Sequence, residues 1–196
     1  MSKLFVFDLD GVLIDSLSNM EHAWASVRVK HEIDVPFEKY KALIGKPFPD
    51  MMRELGLHDR HLEIFDTYKT HSRRCLDKIE LYEGVYDTLT ELKSQGHKIA
   101  LCTSKTRETV ALLEYKLPEF DYISCPKQGL RGKPNPDQLL FVMAFCNVDP
   151  IDTVYIGDMV YDKEAAERAG VHFEHATWGY GDIECEHSLK SITNLI

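Results

Sequence analysis

The chain carries two kinds of hydrophobic pattern, unevenly distributed along it. Compact apolar runs rich in β-branched and aromatic residues occupy positions 3–7, 99–102, 122–125, 152–156 and 171–175. Each predicts a buried strand, the fifth being the last of the series. Segments 85–95, 106–116, 136–146 and 163–169 read as helices between them; Gly96 closes the first and Pro136 sits near the start of the third. This alternation predicts an α/β fold, a Rossmann-like parallel sheet with helices on both faces. In such a sheet ligands gather at the carboxyl ends of the strands.

Residues 16–80 break the alternation. Segments 16–31, 37–43, 49–55 and 60–78 all read as helix, with no strand among them. Placed straight after the first strand, they predict an inserted small α-helical cap domain over the active end of the sheet. The expected division is 1–15 with 81–196 for the core and 16–80 for the cap. The stretch GKPFPD at 45–50 predicts a tight loop between two cap helices. The sequence contains no internal repeat and no low-complexity segment.

Composition narrows the function classes. With 196 residues and a 44% hydrophobic fraction, the chain can fill one core and carry a smaller insertion. A net charge of −9 argues against a nucleic-acid or acidic-membrane binder, and no apolar run suits a membrane span. Five cysteines, odd in number and irregularly spaced, fit reduced thiols in a cytoplasm rather than a disulfide framework. No leader-peptide pattern precedes the first strand. An acidic chain can still take an anionic small molecule if the site carries its own cations. Monomer and homodimer both remain open.

Candidate chemistry sits at the strand ends. The first strand runs into Asp8-Leu9-Asp10-Gly11. Side chains two apart on an extended segment share a side, so two carboxylates stand together at the mouth of the core, where they repel. A cation must offset them, or one must hold a proton. Thr103 and Ser104 follow the second strand, Lys133 lies in RGKPNPD beyond the third, and Asp158 and Asp162 follow the fourth. Each has an ordinary explanation alone. Asp-Gly is a common turn pair, Thr103 and Asp158 could cap helices, and Lys133 before proline could be a solvated loop residue. At one face of one sheet, however, carboxylates, a lysine and two hydroxyls make a hard-cation site beside an anion site.

The stretches FDLDGVLIDS, CTSK, RGKPNPD and IGDMVYD, in this order, resemble the four motifs of the haloacid dehalogenase superfamily. The resemblance covers almost the whole chain, and LYEGVYDTLTELKSQGHKIALCTSK with TWGYG is most similar to its phosphoglycolate phosphatase-like members. It implies a Mg²⁺-dependent phosphatase of a small phosphorylated metabolite, phosphoglycolate first. Asp8 is then the nucleophile that forms an aspartyl-phosphate, and Asp10 the acid and base. The same resemblance implies Mg²⁺ held by Asp8, the Asp10 carbonyl and Asp158, with Asp162 behind them orienting a water or Lys133. Thr103, the Ser104 amide and Lys133 would grip the phosphoryl oxygens. Ser104 departs from the Asn usual in phosphoglycolate phosphatases.

Asp10 also separates this chain from the family's dehalogenases and phosphonoacetaldehyde hydrolases, which lack an acid two residues after the nucleophile. Two rivals remain: a β-phosphoglucomutase-like mutase and a non-catalytic protein that kept the fold. The mutases carry His where Met20 stands and a phosphate-gripping Arg where this chain has GKPFP; a non-catalytic relative would be expected to lose Asp8, Asp10 or Asp158. The pattern favours a hydrolase. Lys46, Lys105 and Arg107 lie near the expected mouth and read as solvated charges, Lys46 being the candidate to steer substrate. HFEHATWGYGDIECEH gathers His172, His175, Cys185 and His187 without a standard zinc spacing, so the histidines read as surface side chains. Cys102 reads as a buried core thiol.

Overall fold

The computed structural model describes residues 2–196. The chain enters through β1 (Leu4–Phe7), turns through β2 (Ile14–Asp15) and passes into four helices, α1 (Leu17–His31), α2 (Phe37–Lys41), α3 (Phe48–Glu54) and α4 (His61–Arg73). It returns through β3 (Glu80–Leu81) into α5 (Val85–Ser94), β4 (Lys98–Cys102), α6 (Arg107–Ala111) and β5 (Tyr122–Ser124). The last part is α7 (Asp137–Cys146), β6 (Thr153–Gly157), α8 (Val160–Ala169), β7 (His172–Ala176) and β8 (Ser188–Leu189).

Six of these strands form one parallel sheet in the order β5-β4-β1-β6-β7-β8. Alternation along the strands splits the core between two faces. Phe5 and Phe7 of β1 join Ile99, Leu101 and Ile156 against Leu89 and Leu92 of α5. Leu4 and Val6 join Ala100, Cys102 and Tyr155 against Leu139 and Val142 of α7 and Ala165 and Ala166 of α8. In register, Phe7 lies beside Leu101 on one side and Ile156 on the other. The three central strands therefore end level, and the residues just beyond them come out side by side.

The four helices between β2 and β3 have their own apolar centre, in which Trp24 stacks on Tyr40 at 4.7 Å among Met20, Val27, Met52 and Ile64. Met159, Tyr161 and Tyr180 from the sheet side close that cluster. The entry and exit of this helical insertion pair as an antiparallel ribbon, Ile14 with Leu81 and Asp15 with Glu80.

Several element boundaries differ from the sequence reading. Segment 106–116 is not one helix: α6 stops at Ala111 and a 3₁₀ turn spans Glu114–Lys116. The tighter i→i+3 bonds (Leu113 N to Val110 O, Lys116 N to Leu113 O) turn Val110, Leu113 and Leu117 onto one buried side. In the same way α4 ends at Arg73 and a separate 3₁₀ turn covers Leu76–Lys78. The strand at 171–175 is not the last, because β8 adds in parallel to β7. Two residues show no periodicity, so only the pairing reveals such a strand.

Candidate active site

Asp8 extends β1 by one residue, its amide donating to Ile156 O at 2.9 Å. Its carboxylate is buried 3.0 Å from Lys133 Nζ. Lys133 is 1% exposed, so it is no solvated loop lysine. Its ammonium also donates to Asp162 Oδ1 at 2.6 Å and to the Tyr155 hydroxyl oxygen at 3.2 Å. The Tyr155 hydroxyl donates in turn to Asp162 Oδ1 at 2.7 Å. The other oxygen of Asp162 accepts the Met159 amide at 3.0 Å and so closes the first turn of α8. Asp162 thus holds Lys133 from behind while serving its own helix.

Asp10 follows on the turn that Gly11 makes possible at φ +80°. Its Oδ1 accepts from the Ser16 hydroxyl and pairs with Lys105 Nζ at 2.7 Å. Lys105 is therefore not the solvated charge expected from the sequence. Thr103 is fully buried, and its hydroxyl accepts the Lys105 amide at 3.1 Å. It does not cap the next helix; Thr106 does, through the Thr109 amide. The Ser104 hydroxyl donates to Gly45 O at 2.5 Å, tying the helical insertion to the sheet. Among the described residues the backbone amides of Leu9, Asp10 and Ser104 donate to no protein acceptor, and all three stand around the end of β1.

Asp158 is fully buried and does not cap α8, whose N-cap is Met159. Asp158 Oδ2 accepts the Tyr180 amide at 2.7 Å, while Oδ1 is buried with no hydrogen-bond partner among the described residues. Oxygens of Asp8, Asp158 and Asp162 lie within 4.8 Å of one another. Burial pushes the Asp8 carboxyl up to about 7, with Lys133 pulling the other way and Asp162 and Asp10 adding to the rise. Burial and the neighbouring carboxylates of Asp162 and Asp8 also hold Asp158 well above the ordinary range. Lys133 is raised: burial opposes its charge, but Asp162 and Asp8 outweigh it. An all-oxygen group with one orphaned buried oxygen fits a hard divalent cation.

Sequence reasoning missed three contributors. Tyr155 reads as an ordinary core residue of β6, since nothing local marks its hydroxyl as a partner of Lys133. The loop at 177–181 clamps the site from behind. Trp178 Nε1 donates to Val12 O at 3.1 Å and the Tyr180 hydroxyl accepts the Ser16 amide at 2.7 Å. A Cβ on Gly179 would lie 2.3 Å from the Asp158 Cβ and 2.6 Å from Gly11 O, so only glycine lets the loop approach this closely. The third is the pair of free amides of Leu9 and Asp10; that of Ser104 is among the groups the sequence resemblance implies.

Lys46 pairs with Glu54 and lies over the Tyr161 ring at 4.4 Å, and Arg107 pairs with Glu114 at 2.7 Å. Beside Asp10, a cavity of about 380 Å³ opens between the insertion and the sheet; Lys46, Ser104 and Lys105 line it with several rings. His175 is buried in the sheet rather than at the surface, because β8 covers β7 there. His172 is exposed and pairs with Glu174 at 2.8 Å, and β7–β8 register brings His187 alongside. Cys102 is a core thiol that burial pushes up to about 12. No described helix is long and apolar enough to cross a membrane.

Known proteins resemble this chain in sequence and in fold. A family model described as haloacid dehalogenase-like hydrolase matches residues 5–176. Phosphoglycolate phosphatase 1 of Pseudomonas aeruginosa is 32% identical over 196 residues, covering 92% of this chain and 71% of that protein. Pyrophosphatase PpaX of Halalkalibacterium halodurans is 33% identical over 209 residues, covering 97% and 94%. Among solved structures, a hydrolase from Pseudomonas syringae has the same fold at TM-score 0.90 and 21% identity, over 100% of this chain and 96% of that one. CbbY from Rhodobacter sphaeroides, in complex with phosphate, has it at TM-score 0.86, 21% identity and the same coverage. With a family model spanning the sheet from β1 to the end of β7, and relatives aligned along most of its length, the chain belongs to the haloacid dehalogenase-like hydrolase family.

Proposed function

We propose that the protein is a Mg²⁺-dependent phosphatase that hydrolyses a small phosphate monoester through an aspartyl-phosphate on Asp8. The observation that carries this reading is the contrast between the two carboxylates of one strand end. Asp8 faces Lys133 and the orphaned oxygen of Asp158, whereas Asp10 faces Lys105, Ser16 and the cavity. This contrast supports a role for Asp8 toward a phosphoryl group and a cation, and for Asp10 toward the leaving group.

Asp8, Asp158 and the Asp10 carbonyl would hold the cation. Asp162 is already engaged with Lys133, Tyr155 and the Met159 amide, which supports a positioning role for it. When bound, Mg²⁺ supplies the positive charge that offsets repulsion between Asp8 and an incoming phosphate dianion. Thr103, Lys133 and the free amides of Leu9, Asp10 and Ser104 orient the phosphoryl oxygens and stabilise charge as it develops. A carboxylate oxygen of Asp8 attacks phosphorus, the ester P–O bond breaks, and protonated Asp10 gives its proton to the departing alkoxide. Asp10, now a carboxylate, takes a proton from the water that attacks the aspartyl-phosphate. The acyl-phosphate P–O bond breaks, inorganic phosphate leaves and both carboxyls are restored.

The helical insertion, divided at 16–80 as the pattern predicts, acts as a cap that excludes bulk water during transfer. Met20, where mutases carry histidine, is a buried apolar residue lining the cavity, which supports hydrolysis over phosphoryl return to a sugar. Five free thiols support a cytoplasmic setting. The test is phosphate release from a panel of monoesters with Mg²⁺ and with EDTA, using wild type and Asp8→Asn. Release that needs Mg²⁺ and disappears in Asp8→Asn is expected; release that survives the substitution would overturn the covalent route.

A further inference from the structure

We propose that the cavity beside Asp10 is a leaving-group site for phosphate monoesters of alcohols that carry a flat, uncharged ring, rather than for a carboxylate-bearing ester such as phosphoglycolate. This rests on the phosphatase reading and names its substrate class.

Size is the first ground. The cavity holds about 380 Å³, within the ~300–1,000 Å³ of pockets that enclose drug-sized ligands. A two-carbon acid would leave most of it to water. The walls are the second. Tyr40, Phe48, Phe65 and Tyr68 line it together with Met20 and Met51. Phe48 lies 4.9 Å from Phe65 and 5.6 Å from Tyr68, both tilted, and Tyr40 stacks on Tyr68 at 5.7 Å. A ring entering this group meets aromatic faces and edges at the spacing such pairs favour, and polarisable thioethers besides. Burial raises the Tyr40 and Tyr68 phenols above their ordinary range, so both present neutral O–H groups.

Charge is the third ground. Four cations border the cavity, Lys46, Lys69, Arg73 and Lys105. Each already has an acid: Lys46 has Glu54, Lys69 and Arg73 share Glu108, and Lys105 has Asp10. A substrate carboxylate would have to displace one of these partners, and at Lys105 the partner is the acid of the proposed reaction. Sugar hydroxyls fare no better, since most of the lining is carbon and buried hydroxyls need partners. The surface left for the alcohol is aromatic. Asp10 itself lines the cavity, so a ring seated there leaves its ester oxygen next to the proton donor.

The test uses two phosphonates that differ only at the far end: 2-phenylethylphosphonate and 3-phosphonopropionate, the methylene analogues of benzyl phosphate and phosphoglycolate. Titration calorimetry on the Mg²⁺-loaded full chain should show the ring compound binding at least about tenfold tighter, and Phe65→Ala should lower that preference by a similar factor. Phe65→Leu, which keeps an apolar side chain at that position, serves if the smaller substitution does not fold. Equal or tighter binding of the acid, or no binding of either, overturns the inference. Phosphate release from benzyl phosphate and phosphoglycolate separates the two layers of the argument. Higher kcat/KM for phosphoglycolate refutes the ring preference and leaves the phosphatase intact. Ring binding with no release from either ester refutes the phosphatase and leaves the ring site intact.

Discussion

Replacing Tyr155 by Phe removes one oxygen from the back of the site and keeps the ring in its core position. That hydroxyl accepts from Lys133 Nζ at 3.2 Å and donates to Asp162 Oδ1 at 2.7 Å. Both bonds involve a charged partner, and such bonds contribute roughly 1.5–3 kcal/mol each. Neither partner is stranded by the substitution: Lys133 keeps Asp8 and Asp162, and Asp162 keeps Lys133 and the Met159 amide. The net loss is then nearer that of one such bond than two, about 2–3 kcal/mol. For a chain of this size about 1 kcal/mol shifts the melting midpoint by about 2–4 °C, so thermal unfolding should fall by roughly 5–10 °C. Because Lys133 is held from one side fewer, kcat should fall by about tenfold while KM changes little. A midpoint within about 2 °C of wild type would refute the reasoning, since it would mean that the buried ammonium and carboxylate neutralise each other without the phenol. The same result with lowered kcat would assign Tyr155 to geometry alone.

Three further outcomes follow from the same contacts. Gly11→Ala places a Cβ 2.1 Å from Asp158 Oδ2 at φ +80°, so Mg²⁺ affinity measured by calorimetry should drop at least about tenfold and stability by about 2–4 kcal/mol; unchanged affinity would show that Asp158 is not a ligand. With EDTA present, the part of the stability that the protonated Asp8 carboxyl contributes should be fully present below its unfolded value near 3.8 and be lost as pH rises through about 7, because burial raises Asp8 in the folded state; Asp158, also raised by burial, acts in the same direction. Melting at about pH 5 and about pH 8, with and without Mg²⁺, checks this, and a larger Mg²⁺ effect at the lower pH would contradict it. Ser104→Ala frees Gly45 O from its side-chain tie to the sheet, so hydrogen exchange at the amides of Gly45, Lys46 and Phe48 should speed up with a stability change below about 1.5 kcal/mol; unchanged exchange would show that the tie does not hold the loop.

What the sequence disclosed, and what it concealed, follows from distance along the chain. Asp8 and Thr103 stand directly after an apolar run, and Asp10 and Asp158 within three residues of one, so one local pattern, a strand that stops, marks them all. Their assembly follows from the register, which ends β1, β4 and β6 level. Lys133 was visible as a lysine in a loop, but its burial was not, because nothing near it in sequence shows Tyr155 and Asp162 waiting beneath. Tyr180 meets Ser16 across 164 positions and Trp178 meets Val12 across 166, and pairings of that span leave no periodic trace. Lys105 looked solvated because a lysine next to a helix start usually is; only the turn at Gly11 brings Asp10 within reach of it. β8 escaped notice because two residues make a strand only in the presence of β7.

The β2–β3 ribbon bears on how such a protein can be rebuilt. Its paired residues place the chain's departure into the helices and its return one strand spacing apart, ~4.8 Å. A tight turn could therefore replace everything from Leu17 to Ile79 without moving the sheet, and helices of another size could be spliced in at the same two points. Ser16 is the residue that such a graft must keep, since it reaches back to Asp10 and forward to Tyr180. The seam thus lets the helical half be exchanged as a cassette, with the half that carries Asp8, Lys133 and Asp158 left as it stands.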